Sequence, residues 1–245
     1  MTKPFIIIGL SGLAGAGKDT VADLLVTHCG FRKLAFADAL RNEISDAFQM
    51  EPLYLSHRDT KEHPMSALAL NRCQNDGFVG RMIIDEGERN NKLDLAAPRS
   101  PRQILQWWGT DYRRKQSPSY WTSQIGLRIH HLSAEKTSGR FVITDCRFDN
   151  EADLVRRHGG VLWQITRPGV NAPAAGHVSD NSGDDFQPDA VLKNSGDILH
   201  LQALTLGAFL MHDIGLSAHD IARMGLAHTA QATAEFHARI TKETV

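Results

Sequence analysis

A glycine-rich segment near the N-terminus, GLAGAGKDT at residues 12–20, has the residue types and spacing of a phosphate-binding loop. Gly12 is followed, after four residues, by Gly17 and Lys18, which matches the pattern G-x-x-x-x-G-K. Successive backbone N–H groups of such a loop converge on phosphate, and the lysine adds a full positive charge. The pattern therefore predicts Lys18 as a catalytic cation and nucleotide contacts from Leu13, Ala14, Gly15, Ala16, Gly17, Lys18, Asp19 and Thr20.

The loop carries a carboxylate, Asp19, at the position where the pattern ordinarily has a hydroxyl. A carboxylate oxygen is a hard ligand, so Asp19 could bind Mg²⁺ directly or through water. Thr20 supplies a hydroxyl one position later. The predicted metal ligands are Asp19 and Thr20, while a role for Asp19 in capping the following helix stays open because negative charge is favourable there.

The elements that must position this loop are a strand and a helix. Residues 5–10 form a continuous apolar run, which is typical of a parallel strand buried on both faces. Further strands are predicted at 31–37, 140–144, 160–166 and 189–194, and each alternates with segments of helical period. This alternation predicts an α/β fold with a five-stranded parallel sheet flanked by helices.

The length of 245 residues suits one such domain with additional segments. Residues 49–136 are too long for a single crossover, so we expect a helical substrate-binding insertion there. Residues 167–188, rich in Gly, Pro and Asp, are expected to form a lid-like loop, and residues 213–245 a C-terminal helical extension. Apolar residues of the last two predicted helices could cover the sheet or form a homodimer contact.

The composition excludes several classes of protein. A net charge of -1, from 27 Lys and Arg against 28 Asp and Glu, argues against stable nucleic-acid binding. The three cysteines are far apart and predict neither a disulfide framework nor a metal site. No apolar run approaches the ~20 residues of a membrane span. We therefore expect a cytoplasmic protein that acts on small anionic molecules.

Several longer stretches carry a family resemblance. They are GKDTVAD at 17–23, RQILQWWGTDYRR at 102–114, VITDCRFDNEADLVRRHGGVLWQITRPG at 142–169 and HVSD at 177–180. Their order and spacing resemble the phage-type deoxynucleoside monophosphate kinases, although HVSD has Asp where that family has Glu. The resemblance implies a P-loop kinase that uses ATP and Mg²⁺ to phosphorylate a 5′-deoxynucleoside monophosphate.

The resemblance also indicates site residues at the ends of predicted strands, where ligands bind in this architecture. It implies that Arg147 holds the acceptor phosphate and that Asp145 orients this arginine or a metal-bound water. Arg167 would close over ATP from the lid-like loop. Asn194 could lie beside the adenine or simply form a turn. The monophosphate side is expected to include Asp38 and Arg41, which follow the second strand.

The predicted insertion supplies candidates for binding the acceptor base. A base needs an aromatic wall and a few polar groups on its edge. In the helix predicted from Pro101, with Ser100 as its N-cap, Gln103 and Trp107 lie four apart on one face, so both could meet one base. Paired tryptophans could equally be core packing. The acceptor-side candidates from the insertion are Arg58, Arg102, Gln103, Trp107 and Asp111.

Other functions stay open at this point. The loop alone also resembles that of animal-type phosphomevalonate kinases, and a modified nucleotide such as a hydroxymethyl-pyrimidine is another candidate substrate. A nucleotide-binding switch ATPase would use Asp145 as its metal-linked carboxylate and would also need a residue that positions water. The histidines near the C-terminus, His212, His219, His228 and His237, are widely spaced, which favours exposed side chains over a metal site.

Overall fold

The structure is a computed structural model that describes residues 6–57, 59–89, 91–134, 139–170 and 186–213. Within these residues, five parallel strands form one sheet with the order β2-β3-β1-β4-β5. The strands are β1 Ile6–Ser11, β2 Arg32–Leu34, β3 Arg140–Ile143, β4 Val161–Thr166 and β5 Ala190–Lys193. The predicted five-stranded parallel sheet is confirmed.

Helices precede and follow these strands along the chain. They are α1 Lys18–Cys29, α2 Phe36–Phe48, α3 Leu53–Ser56, α4 Asp76–Glu88, α5 Pro101–Gln106, α6 Tyr120–Ala134, α7 Asp149–Arg157 and α8 Ile198–Asp213. A π-helix, Trp107–Arg114, follows α5 directly, and two 3-10 turns, Ser66–Leu68 and Leu70–Arg72, precede α4. None of the helices in the described ranges has the length and apolar character that crossing a membrane requires.

The chain divides into two compact units. The first contains residues 1–35 and 126–245 and includes the whole sheet. The second contains residues 36–125 and is helical.

The sheet of the first unit is covered by helices on both faces. On one face, Ile8 and Leu10 of β1 belong to a buried cluster with Leu25 of α1 and Leu201 of α8. On the other, Val155 of α7 packs so closely that a Cβ added at Gly160 would lie 2.9 Å from it. Covering both faces explains why β1 reads as a continuous apolar run, since every one of its side chains is buried.

The helical periodicity read from the sequence matches the observed burial. The apolar stripe of α1 is buried at Val21, Leu25 and Cys29, and Gly30 ends the helix with a φ of 69°. The stripe of α6 is buried throughout, at Trp121, Ile125, Ile129 and Leu132.

The prediction for the second strand was wrong in length. β2 ends at Leu34, and α2 begins at Phe36 rather than at Asp38. Ala35 and Phe36 are buried like Leu34 at the end of β2, so burial continues across the change from strand to helix. Periodicity cannot locate such a boundary within a short apolar run.

Several predictions fall outside the described residues. They concern Arg58, most of the lid-like loop with His177 and Asp180 (171–185), and the C-terminal extension from residue 214 with His219, His228 and His237. These segments, and the assignment of 49–136 as a substrate-binding insertion, stay predictions.

Candidate active site

The glycine-rich loop connects the end of β1 to the start of α1. Its three glycines all have positive φ values, 127° at Gly12, 84° at Gly15 and 111° at Gly17. Such values favour glycine because it has no Cβ. At Gly12 a Cβ would also lie 2.2 Å from the carbonyl oxygen of Ile165 in β4, whereas no heavy atom lies within 4 Å of the Cβ position at Gly15. The loop is therefore anchored to the sheet at Gly12 and open at Gly15.

Lys18 is folded back against this loop. Its Nζ donates to the carbonyl oxygens of Gly12 at 2.7 Å and Leu13 at 2.8 Å. Burial, and then the positive charge of Arg147, lower the pKa of Lys18 to about 8, while the charges of Asp19 and Asp145 act in the opposite direction. The structure thus places Lys18, Arg147 and Asp145 within electrostatic reach of one another.

The segment after β3 is fixed by backbone hydrogen bonds and by a buried carboxylate. The Cys146 N–H donates to the Leu10 carbonyl at 3.0 Å. Glu151, only 1% exposed, accepts the backbone N–H groups of Arg147 at 2.7 Å and Phe148 at 3.2 Å. Sequence reasoning missed Glu151, although a glutamate at the third position of a helix is a recognisable capping signal.

Cys146 stands between two of the predicted catalytic residues, Asp145 and Arg147, but it lacks the character of a nucleophile. It is fully buried, and this burial raises the pKa of its thiol well above the ordinary value. The thiol therefore stays protonated near neutral pH.

Two further strand ends carry predicted residues with very different surroundings. Arg167 directly follows β4 and is exposed. Asn194 directly follows β5, is 8% exposed, and its side-chain Nδ2 donates to the carbonyl oxygen of Ala16 in the loop at 2.8 Å. Asn194 is therefore attached to the loop backbone itself.

Asp19 lies in the first turn of α1 and is paired with a lysine that the sequence did not single out. Lys33 Nζ lies 3.1 Å from a carboxylate oxygen of Asp19 and 3.1 Å from one of Asp23. Partial burial acts to lower the pKa of Lys33, but hydrogen bonds to Asp23 and Asp19 outweigh it and raise the pKa. Lys33 therefore stays positively charged beside the carboxylate that we predicted to bind metal.

The surroundings of Asp19 bear on its two predicted roles. The N-cap of α1 is Gly17, and no described side chain makes a capping hydrogen bond there, so Asp19 contributes to the helix only through its charge. The described residues contain no group of three or more His, Cys, Asp or Glu that could hold a metal alone. Oxygen donors from Asp19 and Thr20 fit Mg²⁺, which usually takes one or two protein carboxylates together with substrate phosphates.

In the second unit, two of the predicted acceptor-side arginines, Arg41 and Arg102, are paired with carboxylates. Arg41 Nη1 lies 2.9 Å from Asp38 Oδ1, and both residues belong to α2. Arg102 Nε forms an ion pair with Glu62, and its backbone N–H donates to the Lys61 carbonyl at 3.0 Å. Glu62 could not be predicted as the partner, because it lies forty residues away from Arg102 in the chain.

The two neighbouring tryptophans have different environments. Ser100 caps α5 as predicted, accepting the Gln103 N–H at 3.2 Å. Trp108 is 1% exposed and its ring lies 4.5 Å from that of Phe78, so it is a core residue. Trp107 is only half-buried, with the Arg99 guanidinium 5.6 Å from its ring centroid. Gln103 and Asp111 are half-buried as well. Of the pair, Trp107 is the one that remains available as an aromatic wall.

The helix after Pro101 also differs from the expected regular α-helix. From Trp107 onward it continues as a π-helix, in which Trp108 and Tyr112 pack edge to face with centroids 5.6 Å apart. Tyr112 also meets the Phe78 ring at 5.6 Å. The π-helix thus occurs where these rings pack around Phe78, and the local sequence does not predict it. Single π-helical turns are frequent at functional sites.

Glu43 of α2 organises the second unit and was not predicted. Its Oε2 accepts the indole N–H of Trp108 and the guanidinium Nε–H of Arg113, both at 2.8 Å, and its Oε1 accepts the hydroxyl of Tyr120 at 2.5 Å. Burial and the bond to Glu43 raise the pKa of Tyr120 to about 12. Arg113 stacks on Tyr112 and Tyr120, with its guanidinium carbon 4.8 Å from each ring centroid. One carboxylate thus joins α2 to the π-helix and to the first residue of α6.

A cavity of about 370 Å³ lies between α4 and the π-helix within the second unit. None of the predicted acceptor-side residues lines it. Its walls are Asp76, Gly77, Gly80, Arg81, Ile84, Tyr112, Lys115 and Gln116.

Comparison with known proteins adds an independent line of observation. The family model "Deoxynucleotide monophosphate kinase" matches residues 82–204, half of the chain. The chain is 29% identical over 175 residues to the "Putative deoxynucleotide monophosphate kinase" of Acanthamoeba polyphaga mimivirus. The alignment covers 67% of this chain and 76% of that protein. It is 28% identical over 185 residues to the "Deoxynucleoside-5'-monophosphate kinase" of Escherichia phage T5, covering 62% of this chain and 72% of that protein.

Among solved structures, the chain is similar to dephospho-CoA kinase from Campylobacter jejuni, with 14% sequence identity and a TM-score of 0.42. The likeness covers 85% of this chain and 98% of that one.

The residues matched by the family model include the π-helix and the strand ends at Asp145, Arg147, Arg167 and Asn194. The resemblance read from the sequence is thereby confirmed. This chain belongs to the deoxynucleotide monophosphate kinase family.

Proposed function

We propose that this protein transfers the γ-phosphoryl group of ATP to the 5′-phosphate of a deoxynucleoside monophosphate. The products would be ADP and the deoxynucleoside diphosphate. The observation that carries the proposal is the glycine-rich loop with Lys18 folded into it, in a chain of this family. The phage T5 relative is named as a deoxynucleoside-5′-monophosphate kinase, which supports the same acceptor class.

The proposed reaction moves one phosphoryl group between two anionic molecules. The bond from the γ-phosphorus to the β–γ bridging oxygen breaks, and its electron pair stays on ADP. A phosphate oxygen of the acceptor forms the new bond. An ionised phosphate oxygen needs no general base, so the protein has to supply positioning and charge neutralisation.

The first unit supplies the groups for the donor nucleotide. The backbone N–H groups of the loop would bind the β- and γ-phosphates, and Lys18 would neutralise their charge. An ammonium has three N–H donors, and two of those of Lys18 are used on Gly12 and Leu13, which leaves one for a phosphate oxygen. Arg167 would stabilise the transferring group, while Arg147, oriented by Asp145, would hold the acceptor phosphate next to it.

Asp19 and Thr20 are the residues that would hold Mg²⁺. When bound there, Mg²⁺ would supply positive charge that neutralises the negative charge of the phosphates. The Asp19 carboxylate already faces one cation, Lys33, so we expect metal and lysine to compete for it.

The second unit supplies the groups that we assign to the acceptor. Asp38 and Arg41 of α2 and Arg102 of α5 would contact the acceptor monophosphate. Trp107 would offer its half-buried ring to the base, with polar contacts from its neighbours Gln103 and Asp111. Small nucleotides are thus the proposed partners.

The proposal is tested by incubating the protein with ATP, Mg²⁺ and each of the four common deoxynucleoside monophosphates, and by measuring the products. We expect equal amounts of ADP and one or more deoxynucleoside diphosphates. ATP loss without any diphosphate would replace the kinase with a switch ATPase. Transfer only to a modified monophosphate would keep the kinase but change its substrate.

A further inference from the structure

Asn194 connects two parts of the first unit that are far apart in the sequence. Its backbone N–H donates to the Thr166 carbonyl at the end of β4, at 2.7 Å, so its position is fixed by the sheet. Its buried side-chain amide donates to the carbonyl oxygen of Ala16, 178 positions earlier, at 2.8 Å. Ala16 is itself only 1% exposed. The hydrogen bond therefore reaches the glycine-rich loop from its buried side.

The loop is in direct contact with this amide. A Cβ added at Gly17 would lie 2.7 Å from Asn194 Nδ2, so any other residue there would collide with the amide. The φ of 111° at Gly17 independently requires glycine. Gly17 immediately precedes Lys18 and is the N-cap of α1, so the contact lies where the loop becomes the helix.

Because a peptide unit is planar, the hydrogen bond from Asn194 to the Ala16 carbonyl also determines where the Gly17 N–H points. A trans peptide is planar, and its C=O and N–H point in opposite directions. When Asn194 holds the Ala16 carbonyl toward the protein interior, the N–H of Gly17 points the other way. That N–H is one of the loop donors that would meet a phosphate.

We propose that Asn194 is a positioning residue that orients the Ala16–Gly17 peptide for polyphosphate binding. This inference deepens the proposed function, because it assumes that the loop binds the phosphates of the donor nucleotide. It differs from the expected adenine contact of Asn194, since a loop-orienting residue affects every polyphosphate equally, with or without a base. Loss of the amide also leaves a buried carbonyl without its donor, which costs more than the bond itself.

The test compares two ligands, ADP and inorganic tripolyphosphate, by calorimetry on the full chain. In the Asn194→Ala and Asn194→Leu variants we expect the affinity for both ligands to fall about tenfold, by similar factors. Asn194→Leu keeps a similar volume, has no donor and adds no charge beside the phosphates. The control is Thr205→Val, which removes another buried bond from a side chain to a carbonyl, Thr205 Oγ1 to Leu201 O at 2.7 Å. It should lower the unfolding temperature and leave both affinities within about twofold.

Two results would overturn the inference. A loss confined to ADP would assign Asn194 to the adenine, and wild-type affinities in Asn194 variants that unfold at lower temperature would leave only a structural role. Because leucine is close to asparagine in volume, Asn194→Leu provides the measurement if Asn194→Ala does not fold. A wild-type protein that binds tripolyphosphate but makes no diphosphate would contradict the proposed kinase and leave the Asn194 inference standing.

Discussion

Lys33 Nζ lies 3.1 Å from a carboxylate oxygen of Asp19, so the acidic residue of the glycine-rich loop is paired with a lysine of strand β2. The two side chains are 38% and 83% exposed, which makes the pair a weak source of stability. Its importance is electrostatic, because a cation beside Asp19 opposes the approach of another cation.

The first prediction concerns this competition. Lys33→Met should lower the Mg²⁺ concentration that gives half-maximal activity by about two- to tenfold, because it removes a charge of the same sign close to the proposed metal position. The measurement is a Mg²⁺ titration of the initial rate at saturating nucleotides. Lys92→Met removes the same charge from an exposed position in the second unit and should leave the midpoint unchanged. An equal midpoint in Lys33→Met and wild type would show that Asp19 does not ligate the metal.

The second prediction is a pH dependence of nucleotide binding. The pKa of Lys18 is about 8, so the free loop loses its ammonium charge as the pH rises through this value. A bound polyphosphate favours the charged ammonium form of Lys18 and should raise the pKa of this group. Affinity should therefore be highest below pH 8 and fall above it, and binding at about pH 8.5 should take up about three quarters of a proton.

Calorimetry of ADP binding in buffers of different ionisation enthalpy measures that proton uptake. Lys18→Arg is the control, since a guanidinium stays charged throughout and should take up no proton. Uptake of the same size in Lys18→Arg would assign the proton to another group.

The third prediction separates two glycines of the same loop. Gly12→Ala should destabilise the fold severely, since its Cβ would lie 2.2 Å from the Ile165 carbonyl. Gly15→Ala has open space and should cost only about 1–2 kcal/mol for its positive φ. Gly87→Ala in α4, which is exposed and also has open space, should stabilise the fold by about 0.5–1 kcal/mol. Denaturant unfolding of the three variants measures the order of their stabilities. A Gly12→Ala variant as stable as Gly15→Ala would contradict the close approach of β4 to the loop.

The fourth prediction concerns Glu43. Glu43→Ala should reduce the free energy of unfolding by about 2–4 kcal/mol, because it leaves the donors of Trp108, Arg113 and Tyr120 without their shared acceptor. Glu43→Gln keeps an acceptor oxygen, so its free energy of unfolding should fall by less than that of Glu43→Ala. Glu88→Ala removes an exposed glutamate from α4 and should change stability by no more than about 0.5 kcal/mol. Equal unfolding curves for the alanine variants of Glu43 and Glu88 would exclude the organising role.

The local parts of this molecule could be predicted from the sequence. The loop is encoded within nine consecutive residues, 12–20, and its strand and helix neighbours have clear apolar patterns. Ser100 as a cap and Gly30 as a helix end also depend only on nearby residues. These features share one property, which is that the interacting groups are close together in the chain.

The parts that sequence reasoning missed are contacts between distant residues. Asn194 reaches Ala16 across 178 positions, and Glu43 meets Trp108 across 65. No residue pattern marks such a pair, because each partner has many alternatives of the same type. The shortened β2 has another cause, since burial continues from Leu34 into Phe36 while the backbone changes from strand to helix.

The most direct test of the proposed kinase follows the phosphoryl group itself. ATP carrying a radiolabelled γ-phosphate is incubated with Mg²⁺ and a deoxynucleoside monophosphate, and the labelled product is identified by chromatography. We expect the label in the β-phosphate of the deoxynucleoside diphosphate, and no transfer by Lys18→Ala at an unchanged unfolding temperature. Label that appears only as inorganic phosphate, or undiminished transfer by Lys18→Ala, would contradict the account.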